Sequence, residues 1–178
     1  NLHGDLVSLQ DRSPLPLDDP KRIYSLIDDS VKFVSEHAGK RPFYMMVSHY
    51  AVHVKHAASQ KYLDKWQAKF DALPNKPTDV KELNRFKKEH KYDYGAMLEE
   101  ADQNLGALMD VLEAKGELEN TFIIFTSDNG SEAVSRDDQN RRFNGPLQEG
   151  KYSAFEGGIR VPFLVSGPGV KGGAQCDL

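Results

Sequence analysis

Three short segments carry side chains suited to charge and proton chemistry. The first is Ser127-Asp128-Asn129-Gly130, which ends the apolar run Phe122-Ile123-Ile124-Phe125. A carboxylate beside an amide oxygen is a pair of hard donors suited to Ca²⁺ or Mg²⁺. The same residues are good turn chemistry, because Asp and Asn bond their own backbone and Gly tolerates left-handed geometry. The second is Gly150-Lys151, a cation in a glycine-rich stretch, for which an ordinary surface lysine is the competing reading. The third is His49-Tyr50-Ala51-Val52-His53, the end of another apolar run, with His56 just beyond. Histidine is the side chain that exchanges protons near neutral pH.

The elements that must position these residues follow from periodicity. Asn1 to Pro20 is polar and broken by Pro14, Pro16 and Pro20, so it reads as a loop lead-in. Asp18, Asp19 and Pro20 mark a helix start. Ile23, Leu26, Ile27, Val31 and Val34 continue it at helical spacing until Gly39. Pro42 to Tyr50 reads as the first strong strand, and Ala51 to Ser59 as the loop that leaves it. Tyr62, Trp66 and Phe70 predict a short amphipathic helix. Asp71 to Tyr92 is a polar excursion whose basic residues Arg85, Lys87, Lys88 and Lys91 form a solvated face.

Met97, Ala101, Leu105, Leu108 and Leu112 mark a long helix closed by Gly116. Phe122 to Phe125 is β-branched and aromatic, which suits a strand buried on both faces. In open α/β sheets ligands bind at the carboxyl ends of strands, where Asp128 and Asn129 stand. Ser131 to Gly145 is polar. Ile159 to Val165 is a last strand, interrupted by Pro162 and ended by Gly167-Pro168-Gly169. Strands alternating with helices predict an α/β fold, a mainly parallel sheet with helices on both faces.

Composition bounds the function. The chain has 178 residues, enough for one domain with a core, with 39% hydrophobic and 28% charged residues. A formal net charge of −4 gives no reason to expect nucleic acid as a partner. The single cysteine, Cys176, excludes an internal disulfide framework and a Cys-rich zinc site. No apolar run is long enough for a membrane span. The chain opens Asn1-Leu2-His3-Gly4 without an initiator Met, which reads as a piece of something longer.

Taken in order, the segments resemble a known family. Pro42-Phe43-Tyr44-Met45-Met46-Val47-Ser48-His49-Tyr50-Ala51-Val52-His53 is similar to a strand-then-histidine segment. Tyr94-Gly95-Ala96-Met97-Leu98-Glu99-Glu100-Ala101-Asp102 is similar to the helix that leads to a metal strand. With Ser127-Asp128-Asn129-Gly130, Gly150-Lys151 and Phe155-Glu156-Gly157-Gly158-Ile159-Arg160-Val161-Pro162, they resemble the C-terminal part of a sulfatase catalytic domain, in the alkaline phosphatase superfamily. The resemblance runs from Arg41 to Pro168.

It implies that Asp128 and Asn129 bind Ca²⁺, with Mg²⁺ as the alternative, together with two aspartates from an earlier strand. Two oxygens are too few, since Ca²⁺ takes about six to eight. Asp28-Asp29 lies in a helical pattern and Asp18-Asp19 in a loop, so neither completes the set. The resemblance implies that Lys151 faces the sulfate ester, where its charge offsets that of the transferring group. It places His53 near the leaving group, as hydrogen-bond donor or general acid. His53 and Lys151 are thus the catalytic and substrate-binding candidates. His49, within the strand, is expected to be structural, and His56, after Lys55, is the second choice. Glu156 and Arg160 are expected to pair with each other or with backbone, and Asp102 to hold the fold by a hydrogen bond. Arg141, Arg142 and Asn144 lie between metal strand and lysine, where they could shape specificity.

The family's nucleophile is a formylglycine made within Cys/Ser-x-Pro-x-Arg. No such motif occurs here, and Cys176 is followed by Asp177-Leu178. Residues 1–178 are therefore expected to be one partial sulfatase catalytic domain. The formylglycine would lie in a missing N-terminal part, and the fragment alone would have no turnover. The substrate would be a sulfate ester of a sugar or an aryl alcohol. Two other readings remain: a phospho- or phosphonate-ester hydrolase of the same superfamily, or a non-catalytic sulfatase-like module. The family is commonly exported or lysosomal, and the sequence itself leaves the compartment open.

Overall fold

The computed structural model describes residues 16–53, 56–83, 92–131 and 144–175. The basic cluster Arg85, Lys87, Lys88 and Lys91 lies outside the described residues, as do Arg141, Arg142 and Cys176. The chain divides into two compact units, the first ending at Glu117 and the second beginning at Leu118.

The first unit is built on three helices, α1 (Ile23–His37), α2 (Gln60–Asp71) and α3 (Tyr92–Ala114), with α1 and α2 both packed on α3. Helix α1 buries Ile23, Ile27, Ser30 and Val34 on one stripe. Its first turn is capped from outside. The Asp19 carboxylate accepts the Tyr24 and Ser25 N–H groups at 3.0 and 2.9 Å, satisfying donors that have no partner within the helix. The helix thus begins three residues after the Asp18-Asp19-Pro20 signal, and Gly39 follows its end with φ 73°. Helix α2 buries Tyr62 and Phe70, with Trp66 half-buried between them. Helix α3 ends in a Schellman motif. Gly116 adopts φ 70°, its N–H donates to the Glu113 carbonyl, and that of Glu117 donates to Leu112.

The core of this unit is Ile23, Ala58, Tyr62, Ala96 and Met97. Gly95 makes room for it. A Cβ there would stand 2.4 Å from the Trp66 ring, so glycine lets that ring lie on α3. Trp66 Nε1 then donates to the Glu99 carboxylate at 2.5 Å.

A polar bond crosses this core where sequence reasoning looked elsewhere. Glu100 is 1% exposed, and its carboxylate accepts the Ser59 N–H at 3.0 Å. Asn104, also buried, donates to the Glu100 carbonyl at 2.7 Å. The fold-holding role expected of Asp102 therefore belongs to Glu100. Asp102 is two residues on, which turns its side chain to solvent.

Residues 42–50 carry the period-two signature of a strand. Phe43, Met45, Val47 and His49 are half-buried, while Tyr44, Met46, Ser48 and Tyr50 are exposed. Among the described residues no other strand pairs with this segment, so it has strand patterning without a ladder.

The second unit holds a 3₁₀ turn (Leu118–Asn120), β1 (Ile123–Thr126), a short helix α4 (Glu156–Ile159) and β2 (Phe163–Ser166). The strands pair antiparallel, Ile123 opposite Ser166 and Thr126 opposite Phe163. This is the one ladder among the described residues, and the parallel neighbours expected from the sequence are not among them. The expectation that β1 is buried on both faces is corrected. Phe122 and Ile124 are each 60% exposed, and Phe163 68%. Among the described residues of this unit, a two-stranded ladder with one turn of helix leaves both faces largely uncovered. The last strand also starts later than expected. Ile159 closes α4, and Pro162, which cannot donate to a ladder, delays β2 to Phe163.

Candidate functional site

Asp128, Asn129 and Lys151 belong to the second unit, and His53 to the first. In the second unit, two loops are joined by main chain. The Gly130 N–H donates to the Gly158 carbonyl at 2.9 Å, and the Lys151 N–H donates to Ser131 at 2.9 Å. The Gly157 N–H donates to Gln148 at 2.8 Å. These contacts are too close for side chains. A Cβ on Gly130 would lie 1.7 Å from the Gly157 carbonyl oxygen, and one on Gly157 2.0 Å from that of Glu149. One on Gly158 would lie 2.1 Å from the Ser153 oxygen. The Gly-Gly step after Glu156 is thus needed for backbone approach.

Asn144 completes the join. Its Oδ1 accepts the Ser131 N–H at 3.0 Å, and its Nδ2 donates to the Ser131 carbonyl at 3.2 Å and to that of Glu149 at 2.9 Å. Sequence reasoning gave Asn144 a part in specificity at most; here it is a clamp between the loop after β1 and the loop that carries Lys151. Its signal in the sequence, Asn144-Gly145-Pro146, reads as an ordinary turn.

Around Lys151 the backbone is held in unusual geometry. Glu149 (φ 58°) and Tyr152 (φ 73°) both take left-handed conformations that non-glycine residues rarely adopt. The Lys151 ammonium lies over the Tyr152 ring, 5.4 Å from its centroid, and that ring is 86% exposed. Glu156 and Arg160 pair with each other across one helical turn, as the sequence suggested.

Asp128 is exposed, and Asn129 is half-buried beside it. The Ser127 hydroxyl donates to the Asn129 carbonyl at 2.9 Å and tightens the turn at the strand end. Hard-oxygen chemistry fits a divalent cation, but the pair is only part of a coordination sphere. Among the described residues no three His, Cys, Asp or Glu side chains group closely enough to hold a metal.

The three histidines have distinct surroundings. His53 is exposed at the end of the 42–50 segment. Its N–H closes a turn on the Tyr50 carbonyl at 2.9 Å, and its ring stacks on Tyr50 at 5.0 Å. His49 is on the half-buried face, where burial lowers its pKa. His56 Nδ1 lies 3.5 Å from the Asp93 carboxylate, and its ring meets Tyr94 edge-on. The His56 contact holds the Asp93 carboxyl below its usual range. His56 is therefore committed to the start of α3. A shallow hollow of about 300 Å³ along α3, lined by Asp102, Leu105, Gly106 and Met109, holds none of the candidates.

With this geometry in place, comparison with known proteins is specific. The family model for Sulfatase matches residues 15–175, and the chain belongs to the sulfatase family. It is 29% identical over 143 residues to human N-acetylgalactosamine-6-sulfatase, covering 80% of this chain and 23% of that protein. It is 30% identical over 161 residues to a sulfatase of Formosa agariphila, covering 85% of this chain and 26% of that one. Among solved structures, Ps i-CgsB in complex with k-i-k-neocarrahexaose superposes with a TM-score of 0.61 at 28% identity. That match covers 83% of this chain and 28% of the other. The chain thus spans about a quarter of the length of the relatives it matches.

Proposed function

We propose that this chain is part of a sulfuric ester hydrolase acting on sulfated carbohydrate. Membership of the sulfatase family supports the reaction class. The sugar is supported by a relative that is an N-acetylgalactosamine-6-sulfatase and by a structural neighbour bound to a neocarrahexaose. The observation that carries the reading is the join described above. The Lys151 N–H bonded to Ser131, with Asn144 clamping both loops, ties the cation-bearing loop to the end of the Asp128-Asn129 strand.

In this reading the Asp128 carboxylate and the Asn129 amide oxygen contribute two ligands to a divalent cation, Ca²⁺ or Mg²⁺. When bound, that cation supplies positive charge against the sulfate oxygens. The Lys151 ammonium holds the same oxygens and offsets charge that grows as the ester bond breaks. His53 holds a proton for the leaving alcohol oxygen. The exposed β1–β2 ladder of the second unit fits a larger, mainly parallel sheet completed by residues outside these 178. The nucleophile, a formylglycine on the sequence argument, would come from there as well.

The test is hydrolysis of a 6-sulfated hexosamine, an aryl sulfate and a phosphate monoester. The expected result is no turnover by the 178 residues alone. A longer protein carrying them should cleave the sulfates, with loss on Lys151→Ala and on Asp128→Ala. Turnover by the 178 residues would overturn the placement of the nucleophile. Phosphate cleavage without sulfate cleavage would favour the phospho- or phosphonate-ester hydrolase. Calorimetry should find only weak Ca²⁺ binding to the chain, and tight binding abolished by Asp128→Ala would overturn the two-ligand account.

A further inference from the structure

Lys21 stands just before α1 in a cluster of charged residues, yet it is 2% exposed. Its ammonium donates to the His53 carbonyl at 2.8 Å. It also lies over the Tyr50 ring, 4.5 Å from the centroid. That ring in turn stacks on the His53 imidazole, 28° from parallel. One buried cation therefore touches both the backbone of His53 and the ring on which its side chain rests.

Such an arrangement is poorly explained by stability. Burying an ammonium sacrifices its hydration, and one carbonyl with one ring face replaces only part of it. The cost is visible in the Lys21 pKa, which burial holds down to about 8. An aliphatic side chain would fill the same space without that penalty. What the ammonium adds is direction: it fixes the carbonyl at one end of the Tyr50–His53 turn and the aromatic ring at the other.

We propose that Lys21 is a positioning residue that sets the orientation of the His53 imidazole through the His53 carbonyl and the Tyr50 ring. Its functional weight rests on the reading of His53 as the histidine at the sulfate ester; the contact itself does not. His53 lies in an exposed turn, where stacking on a fixed Tyr50 ring narrows the rotamers its imidazole samples. Holding it in one reduces the ordering needed when an ester binds.

The experiment is NMR of the 178-residue chain with labelled histidine, comparing wild type with Lys21→Met, Lys21→Arg and Tyr50→Leu. Lys21→Met should leave melting temperature unchanged or raised, while the His53 ring protons lose the Tyr50 ring-current shift. His49 and His56 serve as internal references and should not move. Tyr50→Leu should shift the same His53 signals, and the double variant should add nothing further. Lys21→Arg, which keeps a cation and donors, should retain most of the wild-type shift.

Unchanged His53 signals in Lys21→Met would overturn the proposal. So would loss of all histidine dispersion together, which marks a structural role only. Should Lys21→Met fail to fold, Tyr50→Leu with unmoved His53 signals would overturn it equally. In the longer enzyme, Lys21→Met should lower kcat with KM nearly constant. Altered His53 signals with unaltered kcat would support the positioning contact and overturn the assigned role of His53.

Discussion

Asn144 and Ser131 are bonded reciprocally, the amide oxygen of one taking the N–H of the other and the amide nitrogen giving to its carbonyl. A side chain here does what a neighbouring strand does in a sheet. Asn144→Ala removes all of these bonds and the one to Glu149, leaving partly buried backbone groups without partners. The expected cost is about 1–3 kcal/mol. Amide hydrogen exchange should quicken at Ser131 and Lys151 while α1 and α3 keep their protection. Asn144→Asp, which keeps the acceptor and loses the donor, should fall between.

The glycines divide into two groups with opposite signs. Gly157→Ala would bring a methyl within 2.0 Å of a backbone oxygen, so the loops must part. A loss of about 1–3 kcal/mol is expected, the range for overpacking, with Gly130→Ala behaving alike. Gly106→Ala meets nothing within 4 Å on the helix and should raise stability by about 0.5–1 kcal/mol. Thermal melts of the three variants would check the contrast.

Part of the acid sensitivity should trace to Glu99. Lys65 beside it, then Trp66 and Lys69, hold its pKa down to about 2 from an ordinary 4.5. A depressed carboxylate contributes stability that is fully present above the unfolded value. That contribution disappears as pH falls from about 4.5 towards 2. Glu99→Gln should flatten this limb of a denaturation-midpoint profile against pH by lowering its neutral end, and only modestly, because the group is screened by solvent.

On the alkaline side Lys21 acts in the other direction. Its pKa lies near 8 in the folded chain and near 10.5 when exposed. Between those values the unfolded chain binds more protons, so this group makes stability rise with pH. Lys21→Met should lack the rise. Tyr24, Tyr62 and Tyr94, whose pKa values burial raises, are present in both proteins and cancel in the difference. Urea titrations from pH 7 to about 10 would measure it.

The helices were legible because their apolar residues recur at the right period: Ile23, Ile27 and Val34 in α1, Tyr62 and Phe70 in α2, Met97, Leu108 and Leu112 in α3. What periodicity misses is the buried polar residue on the same stripe. Glu100 and Asn104 sit four apart in line with Leu108, yet by type they read as solvated. Lys21 was hidden the same way, among charges that all look exposed. That 42–50 has no ladder among the described residues was beyond a local reading, since pairing depends on residues far away in the chain.

For the site, the family resemblance more than residue type pointed to Asp128, Asn129, Lys151 and His53, without saying what holds them. The Asn144 clamp depends on a contact 13 residues away that no spacing rule contains. His56, the second choice in sequence, differs from His53 in place. It is bound to Asp93 and Tyr94, whereas His53 stands exposed against Tyr50. The register of the last strand turned on Pro162, a visible signal whose effect was to shorten rather than interrupt.

The contact among Gly130, Gly157 and Gly158 has a consequence for loop grafting. Because it is made by main chain, it forbids side chains at its own positions and asks nothing of the side chains beside it. Tyr152 and Ala154 can therefore be exchanged without unseating the loop, provided the residue at 152 tolerates φ near 73°. Asn, Asp and Gly meet that condition best. A library built on these two positions would alter what the lysine loop presents while leaving its anchorage intact.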